Sequence, residues 1–516
     1  MIGTRATPAT LAVALLIVAA GAAVPASAAV PDPPTAGSAP GIATQGTAKQ
    51  GAAPRVPARG ALAWSPCYGG DAQCARLSVP RDHADPDGPT ISLAVLRLPA
   101  SGGGSRGPLV VNPGGPGVPG RDYPLAVASW LPDVARDYDL VGFDPRGVGM
   151  SAPLRCQTDR EMRGWFRADG TPDTRAERDA LARLAARIGA GCERGSAALL
   201  PHLGTRDVAR DLEALRIALD APRLSFLGFS YGTLLGATYA DMYPRRTGRV
   251  VLDGAVDPRL DQVGITAGQI DGFDHAVRRM AASCAESRRC PLGRSAGDVL
   301  QRINRLLRDL DSTPVPTGSG PPLTQTEAVT GILGALYNPA RWPTALDDIA
   351  AALDGDGAAL AARGRAFLSG DARFVSTFYA ISCADSPATP GPDALAAWAE
   401  RTARDSAVPE LSRYLAWSVL PCHAWPAHRA DPLTRLTAQG AGPILVIGTT
   451  HDPATPMPWT RALARQLDSA GLLEFRSDGH VALGRGNTCV DGVVTAYFAR
   501  GAMPRAGAVC LDRHAR

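Results

Sequence analysis

From residue 61 onward, short apolar runs alternate with segments in which apolar positions recur every three or four residues. Ile91 to Leu98, Leu109 to Val111, Leu140 to Phe143, Leu224 to Leu227, Val250 to Leu252, Ile444 to Ile447 and Leu472 to Phe475 have the length of buried strands, and several lie beside Gly or Pro. Between them, Val208, Leu212, Leu215 and Leu219 mark one face of a helix over Asp207 to Leu219. Strand and helix in alternation predict an α/β fold with a mostly parallel sheet and flanking helices. The rhythm breaks from about Asp257 to Gly440, where amphipathic stretches such as Ala296 to Leu310 and Ala345 to Leu353 recur without a strand series. Residues 257–440 therefore read as an inserted, mainly helical subdomain between two sheet-forming parts, 61–256 and 441–516.

Composition narrows the picture. The 516 residues are 45% hydrophobic and 20% charged, a balance that supports a large buried core. Most of the net charge of +4 comes from Arg5, Lys49, Arg55 and Arg59 against Asp32, so the folding part is nearly neutral and no nucleic-acid partner is expected. Ten cysteines spread over the chain point to an oxidising compartment and five disulfides. Without a Cys-x-x-Cys or His-x-x-x-His pattern, neither a metal nor any other cofactor is expected. The amino terminus fits export: Arg5 precedes an apolar run from Leu11 to Val24, and Ala26-Ser27-Ala28 suits a signal peptidase, which gives a signal peptide over 1–28. That run of about 14 residues is shorter than the roughly 20 of a spanning helix, so stable membrane association is not expected. Residues 29–60, rich in Ala, Pro, Gly and Thr, read as a disordered tail or pro-segment.

Reactive groups in a parallel sheet gather at the carboxyl ends of the strands. After Leu224 to Leu227 comes Gly228-Phe229-Ser230-Tyr231-Gly232, followed by a helix-compatible stretch from Thr233 to Tyr243 that Pro244 ends. A tight strand-to-helix turn needs small flanking residues and presents the serine hydroxyl at a helix N-terminus. The same five-residue pattern occurs at Gly103 to Gly107 and Gly293 to Gly297, but only the Ser230 copy has a strand before it and a helix after. Ser230 is therefore the candidate nucleophile, and Ser105 and Ser295 read as loop residues.

A nucleophilic serine needs an acid and a base, which follow it along the chain in the order Ser, Asp, His. Asp452 stands on the loop after Ile444 to Ile447, and downstream of it lie only His480 and, at the extreme C-terminus, His514. His480 follows one more helix, Trp459 to Leu467, and one more strand, which makes it the candidate base, with Asp452 orienting its ring. His451 reads as structural or substrate-facing. For an oxyanion hole, one donor is the amide of Tyr231, and the other lies in Asn112-Pro113-Gly114-Gly115-Pro116-Gly117 after Leu109 to Val111, with Gly115 favoured over Gly114.

These residues carry a resemblance. Asn112 to Gly117, Gly142-Phe143-Asp144-Pro145-Arg146-Gly147-Val148-Gly149-Met150-Ser151, Gly228 to Thr233, Asp452-Pro453-Ala454-Thr455-Pro456 and the segment Cys489 to Cys510 together resemble the secreted tripeptidyl aminopeptidases of actinomycetes, relatives of the prolyl aminopeptidases in the α/β-hydrolase superfamily. The resemblance spans roughly Ala61 to Asp512. It implies an α/β-hydrolase fold with a helical cap and a monomeric, secreted serine exopeptidase that acts on peptide or protein N-termini. Counting residues from a free N-terminus requires a carboxylate for the α-ammonium, which is largely protonated near neutral pH. Asp385 in the cap and Asp257 at its entry are the candidates. Thr455 is a candidate support for the Asp452 loop. Sequence proximity suggests the pairs Cys67–Cys74, Cys156–Cys192, Cys284–Cys290, Cys383–Cys422 and Cys489–Cys510, although spacing does not fix connectivity. A secreted carboxylesterase or lipase would use the same residues, since fold does not set substrate. A non-catalytic binding protein would not need them.

Overall fold

The computed structural model describes residues 62–367, 372–428 and 433–512, so the signal peptide and tail read from residues 1–60 lie outside the described residues. Ten strands form one sheet: β1 (Ser65–Cys67), β2 (Ala72–Pro80), β3 (Thr90–Leu98), β4 (Pro108–Asn112), β5 (Asp139–Phe143), β6 (Leu224–Phe229), β7 (Thr247–Asp253), β8 (Ile444–His451), β9 (Ala470–Asp478) and β10 (Ala508–Leu511). Their order is β1-β2-β3-β5-β4-β6-β7-β8-β9-β10. From β5 to β10 every pairing is parallel, while β1, β2 and β3 extend one edge antiparallel.

The central strands are apolar on both faces because both faces are covered. Val110, Val141, Phe226 and Val446 point into one core, which the helices Thr205–Ala218, Tyr231–Met242 and Met457–Gln466 close. Leu109, Leu140, Leu227, Val251 and Leu445 point into the other, under the helices Tyr123–Trp130, Pro132–Asp137 and Thr488–Arg500. This two-sided burial is what made seven strands readable as apolar runs. β2 escaped that criterion because it is buried on one side, with Ala75, Leu77 and Val79 inward and Arg76 exposed between the first two. β10 escaped it because it is short and stands at the edge, where Leu511 is 61% exposed.

Between β7 and β8 the described chain is helical apart from one isolated bridge, Val315 to Leu323. The helices from Gln262–Glu286 to Pro409–Trp417 enclose a core of their own around Val277, Ile303, Leu307, Val329, Ile332 and Leu360. Leu181 and Ala185 of the helix Arg175–Ser196 join that core. The helical layer is thus drawn from two parts of the chain, one before Ser230 and one after it. An amphipathic helix carries no mark of which layer its apolar stripe faces, so spacing alone did not separate Arg175–Ser196 from the sheet. The five disulfides pair as sequence proximity suggested. Cys156–Cys192 ties down the early helical segment, Cys284–Cys290 and Cys383–Cys422 lie in the later one, and Cys489–Cys510 joins β10 to the preceding helix.

The loop after β5 is fixed by a buried ion pair. Arg146 donates to Asp211 from Nε at 2.7 Å and Nη2 at 2.6 Å, and to the carbonyls of Pro80, Arg81 and His202. His83 Nε2 meets the same carboxylate at 2.9 Å. Burial works to raise the Asp211 carboxyl, and the Arg146 guanidinium overrides it and holds it below its usual range. Because neither partner reaches water, removing one strands the other: Arg146→Met should lower unfolding free energy by about 3–5 kcal/mol in a denaturant titration.

Candidate active site

Ser230 occupies the turn between β6 and the helix Tyr231–Met242 at φ 54° and ψ −126°. Side-chain-bearing residues avoid this conformation, at a cost of order 1–3 kcal/mol, so neighbouring contacts must impose it. The Ser230 N–H donates to the Asp253 carbonyl at the end of β7, 2.9 Å away. Its carbonyl accepts from the Thr233 N–H at 2.9 Å and from Thr233 Oγ1 at 2.6 Å. The flanking glycines answer a packing demand: a Cβ on Gly228 would stand 2.4 Å from the Gly232 carbonyl oxygen, and one on Gly232 would stand 2.8 Å from that of Asn112. The other two copies of the pattern have local duties. Ser105 Oγ accepts from the Gly107 N–H in a turn, and Ser295 caps the helix Ala296–Ser312 in a capping box with Asp298.

Asp452 follows β8 directly, and its carboxylate is enclosed by donors. Oδ1 accepts from the N–H groups of Ala454 at 2.9 Å and Thr455 at 2.8 Å, and Oδ2 from Thr455 Oγ1 at 2.9 Å and the Val481 N–H at 3.1 Å. His480 Nδ1 lies 2.9 Å from both oxygens. An ionised carboxylate only accepts, so Nδ1 carries the proton and Nε2 is left as the basic nitrogen. His480 is 4% exposed, its main-chain N–H donates to the Tyr337 carbonyl at 2.8 Å, and the Tyr337 ring meets the imidazole edge-on with centroids 5.3 Å apart. His451 turns away to meet His275 of the helix Gln262–Glu286, Nδ1 to Nε2 at 3.0 Å. Burial and the nearby Arg279 cation hold the His451 imidazole below its usual range.

Ser230, Tyr231, Gly115, Thr455 and Asp385 line one open cleft of about 710 Å³ together with Phe378 of the helical layer. The glycine loop reaches the elbow closely: a Cβ on Gly114 would lie 2.4 Å from the Phe229 carbonyl oxygen and 3.0 Å from the Tyr231 nitrogen. The Gly114 N–H is committed to Asn112 Oδ1 at 3.0 Å, which leaves the Gly115 side of the loop facing the cleft. Asp385 accepts from the Thr205 N–H at 2.8 Å and from Thr205 Oγ1 at 2.5 Å, and Thr205 Oγ1 meets the Tyr231 hydroxyl at 2.6 Å. Burial, with the Asp385 charge, pushes the Tyr231 hydroxyl well up, so it stays a donor. Asp257 is placed differently. Arg259 Nη2 at 2.7 Å and Gln466 Nε2 at 2.9 Å occupy its carboxylate, which stands outside the cleft lining. Among the described residues no group of three His, Cys, Asp or Glu is arranged to hold a metal ion.

The sequence reading passed over Asp253. Its carboxylate, fully buried at the end of β7, accepts from the N–H groups of Ala482 at 3.0 Å and Leu483 at 2.8 Å. It directly follows the apolar run Val250 to Leu252, so the rule that led to Asp452 also points to it.

A parallel sheet covered on both faces, with a serine elbow after one central strand and an Asp–His pair after later ones, defines an α/β-hydrolase of the serine type. A family model described as TAP-like protein matches residues 408–510, the segment that carries Asp452 and His480. The chain is 35% identical over 481 residues to the serine protease Hip1 of Mycobacterium tuberculosis, a match covering 87% of this chain and 90% of that protein. It is 32% identical over 480 residues to a tripeptidyl aminopeptidase of Streptomyces coelicolor, covering 88% and 86% respectively. A carboxylesterase B of Mycobacterium tuberculosis is 34% identical over 456 residues, covering 85% and 86%. The chain belongs to this family of TAP-like serine peptidases within the α/β-hydrolase superfamily.

The elbow tolerates no added volume. Gly228→Ala should lower unfolding free energy by about 1–3 kcal/mol and remove most hydrolytic activity, because the methyl group can be placed only by shifting the Ser230 backbone. Thermal unfolding and ester turnover measured on the same preparation check both effects.

Proposed function

We propose that the protein is a secreted aminopeptidase that releases short peptides, tripeptides in particular, from free N-termini through an acyl-enzyme on Ser230. His480 Nε2 takes the Ser230 proton as the hydroxyl attacks the scissile carbonyl, then returns it to the leaving amine. Asp452 holds the ring in the required tautomer and stabilises its charged form without taking the proton. The N–H groups of Gly115 and Tyr231 receive the oxyanion of the tetrahedral intermediate. Water then attacks the ester, with His480 again as base, and frees the N-terminal peptide.

The observation that carries the exopeptidase reading is Asp385, a carboxylate held by Thr205 in the same cleft that Ser230 lines. It would pair with the substrate α-ammonium and so fix how many residues fit between that group and the scissile bond. Asp257 is the weaker candidate, because it stands outside the lining of the cleft that holds Ser230. Support for tripeptide release comes from the Streptomyces relative of that name, and support for a cap over residues 257–440 from the helical core there. Secretion, through the signal peptide read at 1–28, fits a protein with five disulfides. No described helix is long and apolar enough to cross a membrane. The enzyme is read as a monomer without a cofactor.

A paired assay tests the reading, using a chromogenic tripeptide with a free N-terminus, its N-acetylated form and a short-chain nitrophenyl ester. Acetylation should reduce kcat/KM at least about tenfold, the worth of one buried charge pairing. Asp385→Asn should raise KM for the free peptide by a similar factor and leave the ester largely unaffected. Ser230→Ala should lower every activity roughly a thousandfold or more. Equal cleavage of free and acetylated peptides sinks the exopeptidase reading, and activity on the ester alone points to a carboxylesterase, the name one relative bears.

A further inference from the structure

Asp253 touches both halves of the site through different atoms. Its main-chain oxygen accepts from the Ser230 N–H at 2.9 Å, and its carboxylate accepts from the backbone just beyond His480. The Ala482 N–H lies 3.0 Å from both carboxylate oxygens, and the Leu483 N–H lies 2.8 Å from Oδ2. The sheet fixes the position of Asp253 from both sides, since it pairs in register with Phe229 of β6, the residue before Ser230, and with Ile447 of β8, on the strand that leads to Asp452. The carboxylate has no exposure. The Ala482 and Leu483 donors are both main-chain N–H groups, and a fully buried carboxylate that turns to the histidine loop is costly to keep for packing alone.

We propose that Asp253 is a positioning residue for the hydrolytic reaction, its ionised carboxylate acting as the clamp that sets the His480 loop against the Ser230 elbow. The proposal rests on Ser230 and His480 being nucleophile and base. Val481 itself is held at φ 58°, an unfavourable conformation for a β-branched residue, and the contacts on either side of it are the Asp452 bond to its own N–H and the Asp253 bonds to the next two. Release of the Asp253 grip would let this turn relax and withdraw the imidazole from the serine. A displacement near 1 Å at such a site is enough to cost about a hundredfold in rate.

The clamp has a pH signature. Burial pushes the Asp253 carboxyl up to about 6, against the lowering effect of the Leu483 and Ala482 N–H groups and of His480, with Asp452 adding to the rise. Tyr123 and Arg485 also face it electrostatically. Because its proton affinity is raised, Asp253 is ionised and able to accept all its N–H bonds only above about pH 6. Below that Asp253 gains a proton and weakens as an acceptor, so its protonation adds to that of the base in switching the site off.

The test is the pH profile of kcat/KM on the nitrophenyl ester for the wild type and Asp253→Asn. In the wild type the acid limb of log kcat/KM should steepen toward a slope of two below about pH 6. In Asp253→Asn it should have a slope of one, with kcat down about tenfold to a hundredfold at neutral pH and KM within about twofold. A profile that superimposes on the wild type, or a fall in kcat without a change of slope, overturns the proposal. If Asp253→Asn does not fold, Asp253→Glu takes its place: kcat down at least about tenfold with KM within about twofold supports the clamp, and an unchanged kcat overturns it. Ser230→Ala separates this from the underlying reading, because retained activity there removes the nucleophile assignment whatever Asp253 does.

Discussion

The structure is organised around one unfavourable backbone conformation. Ser230 sits where L residues are rarely found, and it stays there because its own main-chain groups are committed. Its N–H and carbonyl are both bonded, to Asp253 and Thr233, and Thr233 is tied in turn to Val256. The glycines at 228 and 232 exist because β6, its helix and the Asn112 strand end approach too closely for a side chain. A strained residue of this kind persists only where its surroundings over-determine it, which a ten-stranded sheet with two filled faces can do and a loop could not.

Charge is handled at the site by a second consistent device. Asp452 and Asp253 are both buried at the ends of neighbouring parallel strands, and both are surrounded largely by backbone N–H groups. Main-chain donors suit this task because they belong to a fixed frame and need no counter-charge of their own. Elsewhere the molecule uses full ion pairs for its buried acids, as with Asp211 and Arg146. The contrast bears on the proposed chemistry: a carboxylate held by neutral amides would favour a charged imidazole at His480, whereas a guanidinium bonded in the amides' place would oppose it.

Much of this was legible in the sequence, and what was missed has definite causes. Ser230, Asp452 and His480 were readable as candidates because strand ends, chain order and a glycine pattern constrain one another, and the structure brings Asp452 and His480 into contact and puts Ser230 and Thr455 on one cleft. β2 and β10 were not readable, since a strand buried on one side or lying at an edge leaves no continuous apolar run. The partners of acidic residues were equally hidden. Nothing in the chain separates Asp257, taken up by an arginine two residues on, from Asp385, which the fold carries to the cleft from a distant helix. Asp253 was passed over because it ends an apolar run and was counted with the strand, although its carboxylate faces the catalytic end of the sheet.

The helical layer bears on how such an enzyme could measure its substrate. Asp385 belongs to that layer, yet its carboxylate is held by Thr205, the first residue of a helix packed on the sheet, and Thr205 also meets Tyr231 beside the nucleophile. The path from Asp385 to Ser230 therefore runs through two hydrogen bonds and one residue step, and not through the packing of helix on helix. A ruler anchored to the cap alone would change length whenever the cap shifted. One anchored through Thr205 and Tyr231 would keep its length relative to the elbow even if the rest of the helical layer were to move, so substrate entry and a fixed reach need not compete.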